Sequence, residues 1–108
     1  MAEMDLEYYK KRLLEEKERI LKSMEAISDE MAVISAEDEI DDIEDMAELK
    51  IDNDRDKEVL RILVQQLKDV NDALRKIETG QYGIDEKTGE PIPEERLRAN
   101  PAARSAVA

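Results

Sequence analysis

The sequence contains no cysteine and no histidine among its 108 residues. Without cysteine there are no disulfide bonds, and without either residue type the usual ligands of a zinc ion are missing. We therefore expect a fold that binds no metal and no cofactor. Thiol nucleophiles and histidine general bases are excluded too, and no glycine-rich phosphate loop is present, so the sequence indicates a protein that is not an enzyme.

Aromatic residues are scarce, with three tyrosines and no phenylalanine or tryptophan, and glycine and proline occur three times each. Charged residues make up 43% of the chain and hydrophobic residues 41%. This balance is typical of long helices and coiled coils, whereas a disordered chain has fewer apolar residues. The sequence predicts a mainly α protein with little room for a large core.

Long apolar runs are also absent, since the longest strongly apolar run covers only residues 62–64. The first residues form neither a basic nor an apolar leader, so we expect no membrane segment and a cytoplasmic location. Basic residues number 17 against 29 acidic residues, which gives a net charge of -12. This charge opposes direct binding to nucleic acid, and any role in transcription would require a protein partner.

Two stretches carry apolar residues at helical spacing. The first contains Leu6, Leu13, Ile20, Ile27 and Ile34, with Met24 and Met31 interleaved. The second contains Leu60, Leu63, Leu67, Val70, Leu74 and Ile77 and extends backward through Leu49 and Met46. Such stripes predict a long antiparallel two-helix coiled-coil hairpin over residues 1–79, with its tip at about residues 35–56. Gly80 is the expected end of the second helix.

The predicted tip is strongly acidic. Residues 35–56 hold 11 acidic and 2 basic residues, and thus -9 of the net charge of -12. Carboxylates crowd residues 39–48 around the apolar Ile40, Ile43 and Met46, a combination that suits insertion into a basic cleft. A solvated turn that aids solubility accounts for the same charges. The spacing does not match a calcium-binding loop, so no dedicated metal site is predicted.

After Gly80 the helical pattern gives way to turn-forming residues, so residues 80–108 are predicted to form a separate small module. We expect a small hairpin followed by a short helix that starts at Pro93 and is interrupted at Asn100 and Pro101. Basic residues of this part, Arg96 and Arg98 together with Arg104, are candidates for a contact surface, although ordinary solvated charges account for them more simply.

Residues 82–102, YGIDEKTGEPIPEERLRANPA, carry a specific pattern. They closely resemble the C-terminal module of the DksA/TraR family of RNA polymerase-binding regulators, which reads Y-G-x-C-x-x-C-G-x-x-I-x-x-x-R-L-x-A-x-P. Residues 42–47, DIEDMA, fit the family's tip pattern D-x-x-D-x-A. The resemblance covers roughly residues 5–108. It implies a coiled-coil hairpin followed by a zinc-finger-like module.

The zinc-ligand positions of that family are not kept here. Three of them hold Asp85, Thr88 and Ala106 in this sequence. The resemblance therefore implies a degenerate zinc-finger-like module without zinc ligands, held together by packing in place of a metal.

The resemblance also implies a function. A protein of this family binds bacterial RNA polymerase at its secondary channel and modulates initiation through the coiled-coil tip, which assigns the effector role to Asp42, Asp45 and Ala47. The family acts with the alarmone ppGpp in the stringent response. A lysine and an arginine associated with the ppGpp site align here with Asp69 and Asn100, which argues against ppGpp dependence.

Two other interpretations remain open. One is a Gre-like accessory factor whose tip carboxylates hold a Mg²⁺ ion and promote transcript cleavage. The other is a structural coiled-coil adaptor that oligomerises through its apolar stripe. A transcript-cleavage assay distinguishes the first from a regulator of initiation, and sedimentation at several concentrations tests the second.

Overall fold

A computed structural model describes residues 5–27 and 52–106, and this part of the chain is mainly helical. Three helices are present among these residues: α1 (Leu6–Ile27), α2 (Asp54–Thr79) and α3 (Glu94–Ala99). The mainly α class predicted from the sequence is therefore confirmed. The predicted tip at residues 35–56 lies mostly outside the described residues.

Side chains that precede α1 and α2 satisfy the first free amides of each helix. Asp5 Oδ1 accepts a hydrogen bond of 3.1 Å from the Tyr8 amide. Asn53 Oδ1 accepts hydrogen bonds of 2.9 Å from the Arg55 amide and 3.1 Å from the Asp56 amide. These are N-cap interactions, which satisfy donors that have no partner within the helix. The helix α2 accordingly begins at Asp54, within the range predicted for the tip.

The end of α2 is set by Gly80, which has a φ of 78°. A glycine tolerates this left-handed conformation because it has no side chain beyond Cα. The chain can then turn so that the Gln81 amide donates a hydrogen bond of 2.9 Å to the Lys76 carbonyl oxygen. This bond closes the last helical turn, and the predicted role of Gly80 as the helix end is confirmed.

The described residues form two compact units. Unit 1 contains residues 5–16 and 69–106, and unit 2 contains residues 17–27 and 52–68. Each unit combines part of α1 with part of α2, and α1 and α2 pack together. Unit 1 contains the beginning of α1 and the end of α2, whereas unit 2 contains the end of α1 and the beginning of α2.

In unit 2 the buried apolar residues come from both helices. They are Ile20, Met24, Leu60, Val64 and Leu67. Four of the five belong to the predicted stripes, and Val64 does not. Burial of apolar side chains between two helices supplies most of the stability that a helix pair needs, because an isolated helix is only marginally stable in water.

The buried face of α2 differs from the predicted stripe. Val64 and Ala73 are buried, while Leu63, Leu74 and Ile77 are only partly so. From Val64 to Ala73 the buried residues recur at every third position, and since a helix has 3.6 residues per turn, the buried face rotates around α2. The predicted stripe assumed a single partner helix. In unit 1, however, α2 also contacts residues that follow it in the chain.

In unit 1 the chain after Gly80 forms a small hairpin and then α3. Ile84 and Pro91 form an isolated antiparallel bridge, and the Asp85 amide donates a hydrogen bond of 2.8 Å to the Glu90 carbonyl oxygen. Pro93 precedes α3, and Asn100 follows it. Both the hairpin and the short helix lie where the sequence predicts them. The division of the chain into residues 1–79 and 80–108 stays a prediction.

Within residues 5–27 and 52–106, none of the helices has the length and apolar character that crossing a membrane requires.

Candidate functional site

Tyr82 is buried in unit 1. Its buried hydroxyl donates a hydrogen bond of 2.7 Å to the carbonyl oxygen of Pro101. Its ring lies 5.7 Å from that of Tyr9, measured between centroids. Burial raises the pKa of both tyrosines above the ordinary value of 10.0. Both hydroxyls therefore remain protonated at neutral pH, and the Tyr82 hydroxyl serves as a hydrogen-bond donor.

Two further contacts connect α1 to α3 within unit 1. The Tyr9 hydroxyl donates to Glu94 Oε1 over 3.4 Å. The Arg12 guanidinium donates to the main-chain carbonyl oxygen of Arg98 and lies 5.7 Å from the centre of the Tyr8 ring. The carbonyl groups at the end of a helix have no partner within it, so a cation such as Arg12 stabilises this end.

Arg104 binds three carboxylates in unit 1. Its Nε donates to Asp69 Oδ1 over 2.7 Å, its Nη2 to Asp72 Oδ2 over 2.6 Å and its Nη1 to Glu86 Oε1 over 3.0 Å. Partial burial disfavours its charged form, but the hydrogen bonds to Asp72 and Asp69 outweigh this effect and raise the pKa of Arg104 above its ordinary value. The planar guanidinium presents its five N–H donors in a fixed geometry that matches carboxylates, whereas the three donors of a lysine share one nitrogen atom.

Asp85 connects two segments that are distant in sequence. Its Oδ1 accepts hydrogen bonds from the amides of Lys87 at 2.7 Å and Thr88 at 3.2 Å, and its Oδ2 accepts one from the Ala106 amide at 2.9 Å. The side chain is buried, with 4% of the residue exposed. The Ala106 amide, followed by the amides of Lys87 and Thr88, holds the pKa of this carboxyl below 3.8.

The residues at the family's zinc positions do not fit a zinc ion. Both oxygens of Asp85 accept main-chain amides, and Thr88 Oγ1 accepts a hydrogen bond of 3.2 Å from the Glu90 amide. Ala106 offers no ligand atom beyond its main chain. Across the part of the chain that the structure describes, no cluster of three or more histidine, cysteine, aspartate or glutamate residues is arranged to hold a metal.

An open groove of about 330 Å³ also lies in unit 1. It is lined by Lys76, Gln81, Ile84, Asp85 and Glu86. Lys76 Nζ donates a hydrogen bond of 2.8 Å to Glu86 Oε1, so these two charges neutralise each other. The hydrogen bond to Lys76 holds the pKa of Glu86 below 4.5.

The structure describes only some of the site residues that the sequence predicts. The effector candidates Asp42, Asp45 and Ala47 lie outside the described residues. The module candidates Arg96 and Arg98 are both in α3. Arg96 Nε donates to the Ser105 carbonyl oxygen over 2.7 Å, and Arg98 pairs with Glu94 at 3.5 Å on an exposed face. Arg98 is therefore the more accessible of these two candidates for contact with a partner.

Sequence reasoning missed the structural roles of Arg104 and Asp85. From the sequence alone Arg104 is a candidate for a contact surface or a solvated charge, whereas in the structure it binds three carboxylates. Asp85 stands at a lost metal-ligand position, and in the structure it organises the loop that follows it. One signal was present, because an aspartate followed by Glu-Lys-Thr-Gly is typical of a turn in which the side chain accepts amides two and three residues on. The contact with Ala106 has no local signal.

These observations define a mainly helical protein in which a small hairpin and α3 form one compact unit with the start of α1 and the end of α2. Several known proteins are similar to this chain. General stress protein 16O of Bacillus subtilis is 46% identical over 63 residues, which cover 58% of this chain and 39% of the relative. An uncharacterised protein of Aquifex aeolicus is 38% identical over 63 residues, covering 58% of this chain and 43% of that protein.

The third relative is the RNA polymerase-binding transcription factor DksA of Caulobacter vibrioides. It is 38% identical over 110 aligned positions, which cover 99% of this chain and 74% of the relative. The chain therefore belongs to the DksA family. It spans less than half the length of the first two relatives. No family model matches the chain, and no solved structure matches it.

Proposed function

We propose that this protein regulates transcription by binding bacterial RNA polymerase at its secondary channel. The observation that carries this proposal is the 38% identity to the DksA protein of Caulobacter vibrioides across 99% of the chain. That relative is an RNA polymerase-binding transcription factor. The sequence pattern D-x-x-D-x-A at residues 42–47 supports the same function, since it is the tip pattern of the resembled family.

In this proposal the two ends of the helix pair have different tasks. Residues 35–56 contribute -9 to the net charge, and such a segment is attracted to a basic cleft. Asp42, Asp45 and Ala47 are the effector residues there. The residues of unit 1 are fixed by contacts such as Tyr82 to Pro101 and Arg104 to Asp69, which supports a role as the rigid base that docks on the polymerase. Arg98 on α3 is the cation offered to the partner.

We further propose that ppGpp is not required. The phosphates of ppGpp need cationic ligands. Asp69, at the position of the family's lysine, is an anion that accepts a hydrogen bond from Arg104. Asn100, at the position of the family's arginine, is neutral, and its Oδ1 accepts a hydrogen bond of 3.2 Å from the Ala102 amide. The expected result is an effect on open complexes that ppGpp does not increase.

A regulator of this kind acts in the cytoplasm, where the polymerase is, and catalyses no reaction of its own. It contacts the polymerase and makes no direct contact with nucleic acid, in keeping with its net charge of -12.

The test combines a double variant with two measurements. Asp42→Asn with Asp45→Asn removes two charges with almost no change in volume. We expect competition binding to core polymerase to be nearly unchanged, because the base supplies most of the affinity. The lifetime of open complexes at a ribosomal promoter, shortened by the wild-type protein, should return to its value without the factor.

Glu37→Gln with Asp38→Asn is the matched control, because it removes the same charge from the same segment and leaves residues 42–47 intact. This control should act like the wild-type protein. If both double variants act like the wild type, the acidic segment only aids solubility. If the wild-type protein fails to bind core polymerase at physiological salt, the proposal is wrong. Cleavage of the transcript in stalled complexes would instead favour a Gre-like accessory factor.

A further inference from the structure

Three positions that carry zinc ligands in the resembled family are joined here by one side chain. The carboxylate of Asp85 accepts hydrogen bonds from the amides of Thr88 and Ala106, the two other positions, and from the intervening Lys87. Thr88 is three residues from Asp85 in sequence, whereas Ala106 is 21 residues away. The carboxylate therefore closes both a local turn and a long loop.

The energetics of a buried carboxylate agree with such a role. Only 4% of Asp85 is exposed, and an anion removed from water is costly unless its oxygens are bonded. Each of the two oxygens of Asp85 has at least one amide donor. Hydrogen bonds from an amide to a charged oxygen are stronger than bonds between neutral groups. The three bonds thus offset the cost of burial and connect the two segments.

Neighbouring contacts hold the segment around Ala106 in place. The Arg104 guanidinium binds Asp69, Asp72 and Glu86, and the Arg104 carbonyl oxygen accepts a hydrogen bond of 3.0 Å from the Glu86 amide. The Ser105 carbonyl oxygen accepts the Nε–H of Arg96. Three consecutive residues, 104 to 106, are therefore bonded to the hairpin, α2 or α3. Asp85 supplies the last of these connections.

We propose that the Asp85 carboxylate is a metal-free cross-link that takes the place of a zinc ion in closing the module of residues 80–106. A zinc ion joins distant segments by binding thiolates, whereas Asp85 joins them by accepting three main-chain amides. This inference concerns the module's fold and does not depend on the proposed function.

The cross-link requires both oxygens of Asp85 to accept hydrogen bonds. A nearly isosteric substitution can therefore test it. In Asp85→Asn one oxygen remains and the other becomes an NH₂ group, which donates and cannot accept. The oxygen can serve the turn at Lys87 and Thr88 or the Ala106 amide, but not both. One of the two connections must then break, while the volume of the side chain is unchanged.

The experiment measures amide hydrogen exchange by NMR on the full chain. In the wild-type protein we expect the Ala106 amide and the amides of Lys87 and Thr88 to be protected. In Asp85→Asn we expect at least one of these two sets to exchange about tenfold faster or more, while amides within α1 and α2 are unaffected. Glu90→Gln is the matched control, because it removes one charge from the same hairpin at an exposed position. It should leave all three amides protected.

Several results would overturn the proposal. One is equal protection of all three amides in Asp85→Asn and the wild type. Another is an Ala106 amide that exchanges in the wild type as fast as in an unstructured peptide, a measurement that holds even if the variant does not fold. Stoichiometric zinc in the purified wild-type protein, or a loss of stability on adding a chelator, would show that a metal closes the module instead.

Discussion

The hydroxyl of Tyr82 and the carbonyl oxygen of Pro101 form a hydrogen bond of 2.7 Å that is buried in unit 1. Tyr82→Phe removes the hydroxyl donor and leaves the buried carbonyl oxygen of Pro101 without this hydrogen bond. We expect a loss of about 1–3 kcal/mol in the free energy of unfolding, the usual cost of a buried polar group that loses its partner. Urea unfolding followed by circular dichroism measures this change.

Tyr8→Phe is the control for the loss of a tyrosine hydroxyl, since Tyr8 is 46% exposed. A change at such a surface position should stay within about 0.5 kcal/mol. Equal effects of the two substitutions would mean that the hydrogen bond to Pro101 contributes nothing net.

Leu67 tests the contribution of the buried face of α2 in unit 2. It is fully buried, whereas Ile62 on the same helix is 52% exposed. Leu67→Ala should lower the free energy of unfolding by about 2–5 kcal/mol, because it removes apolar contacts and leaves a cavity. Ile62→Ala should change it by about 0.5 kcal/mol or less. Thermal unfolding of both variants is the measurement, and a similar loss for both would contradict the assigned packing face.

Substitutions of Asn53 test how much the N-cap of α2 contributes to stability. Its side chain accepts the amides of Arg55 and Asp56. Asn53→Ala should cost about 1 kcal/mol of unfolding free energy, because alanine cannot cap these amides, while Asn53→Asp keeps the acceptor and should retain the stability. Chemical denaturation distinguishes the two variants. If the Asn53→Ala variant is as stable as the Asn53→Asp variant, the side-chain cap at residue 53 contributes nothing to stability.

We expect the hydrogen bond between Lys76 and Glu86 to make the stability of the protein depend on pH. The hydrogen bond to Lys76 holds the pKa of Glu86 below 4.5 in the folded protein. Its contribution to stability is therefore complete above the unfolded-state pKa and is lost as the pH falls through the lower folded-state pKa. The difference in unfolding free energy between the wild type and Glu86→Gln should be largest near neutral pH and shrink in acid.

Glu90→Gln, with the same change in net charge, separates this effect from general electrostatics. A difference between the wild type and Glu86→Gln that stays constant or grows in acid would rule out the ion pair as its cause.

The end of α2 and both ends of α3 were predictable because their signals are local. Gly80, Pro93 and Asn100 mark boundaries through their own backbone preferences, and the structure places the boundaries there. The buried face of α2 was predicted only in part. Val64 and Ala73 are buried because of neighbours that the spacing of one helix does not reveal.

The contacts of the candidate site were less predictable, because their partners are far apart in sequence. Arg104 pairs with Asp69 and Asp72 across 35 and 32 residues, and Asp85 with Ala106 across 21 residues. No periodicity or short motif encodes such pairs. The tip residues Asp42, Asp45 and Ala47 stay a prediction, as does the role of Arg98 in binding a partner.

The contacts of Tyr9 have a consequence for the order in which the protein assembles. Tyr9 bonds to Glu94, 85 residues later in the chain, and Arg12 bonds to Arg98, 86 residues later. Bringing such distant residues together carries an entropic cost that local helix formation does not. During synthesis, α1 leaves the ribosome long before α3 exists. The contacts of α1 with α3 in unit 1 therefore cannot form until α3 has been synthesised.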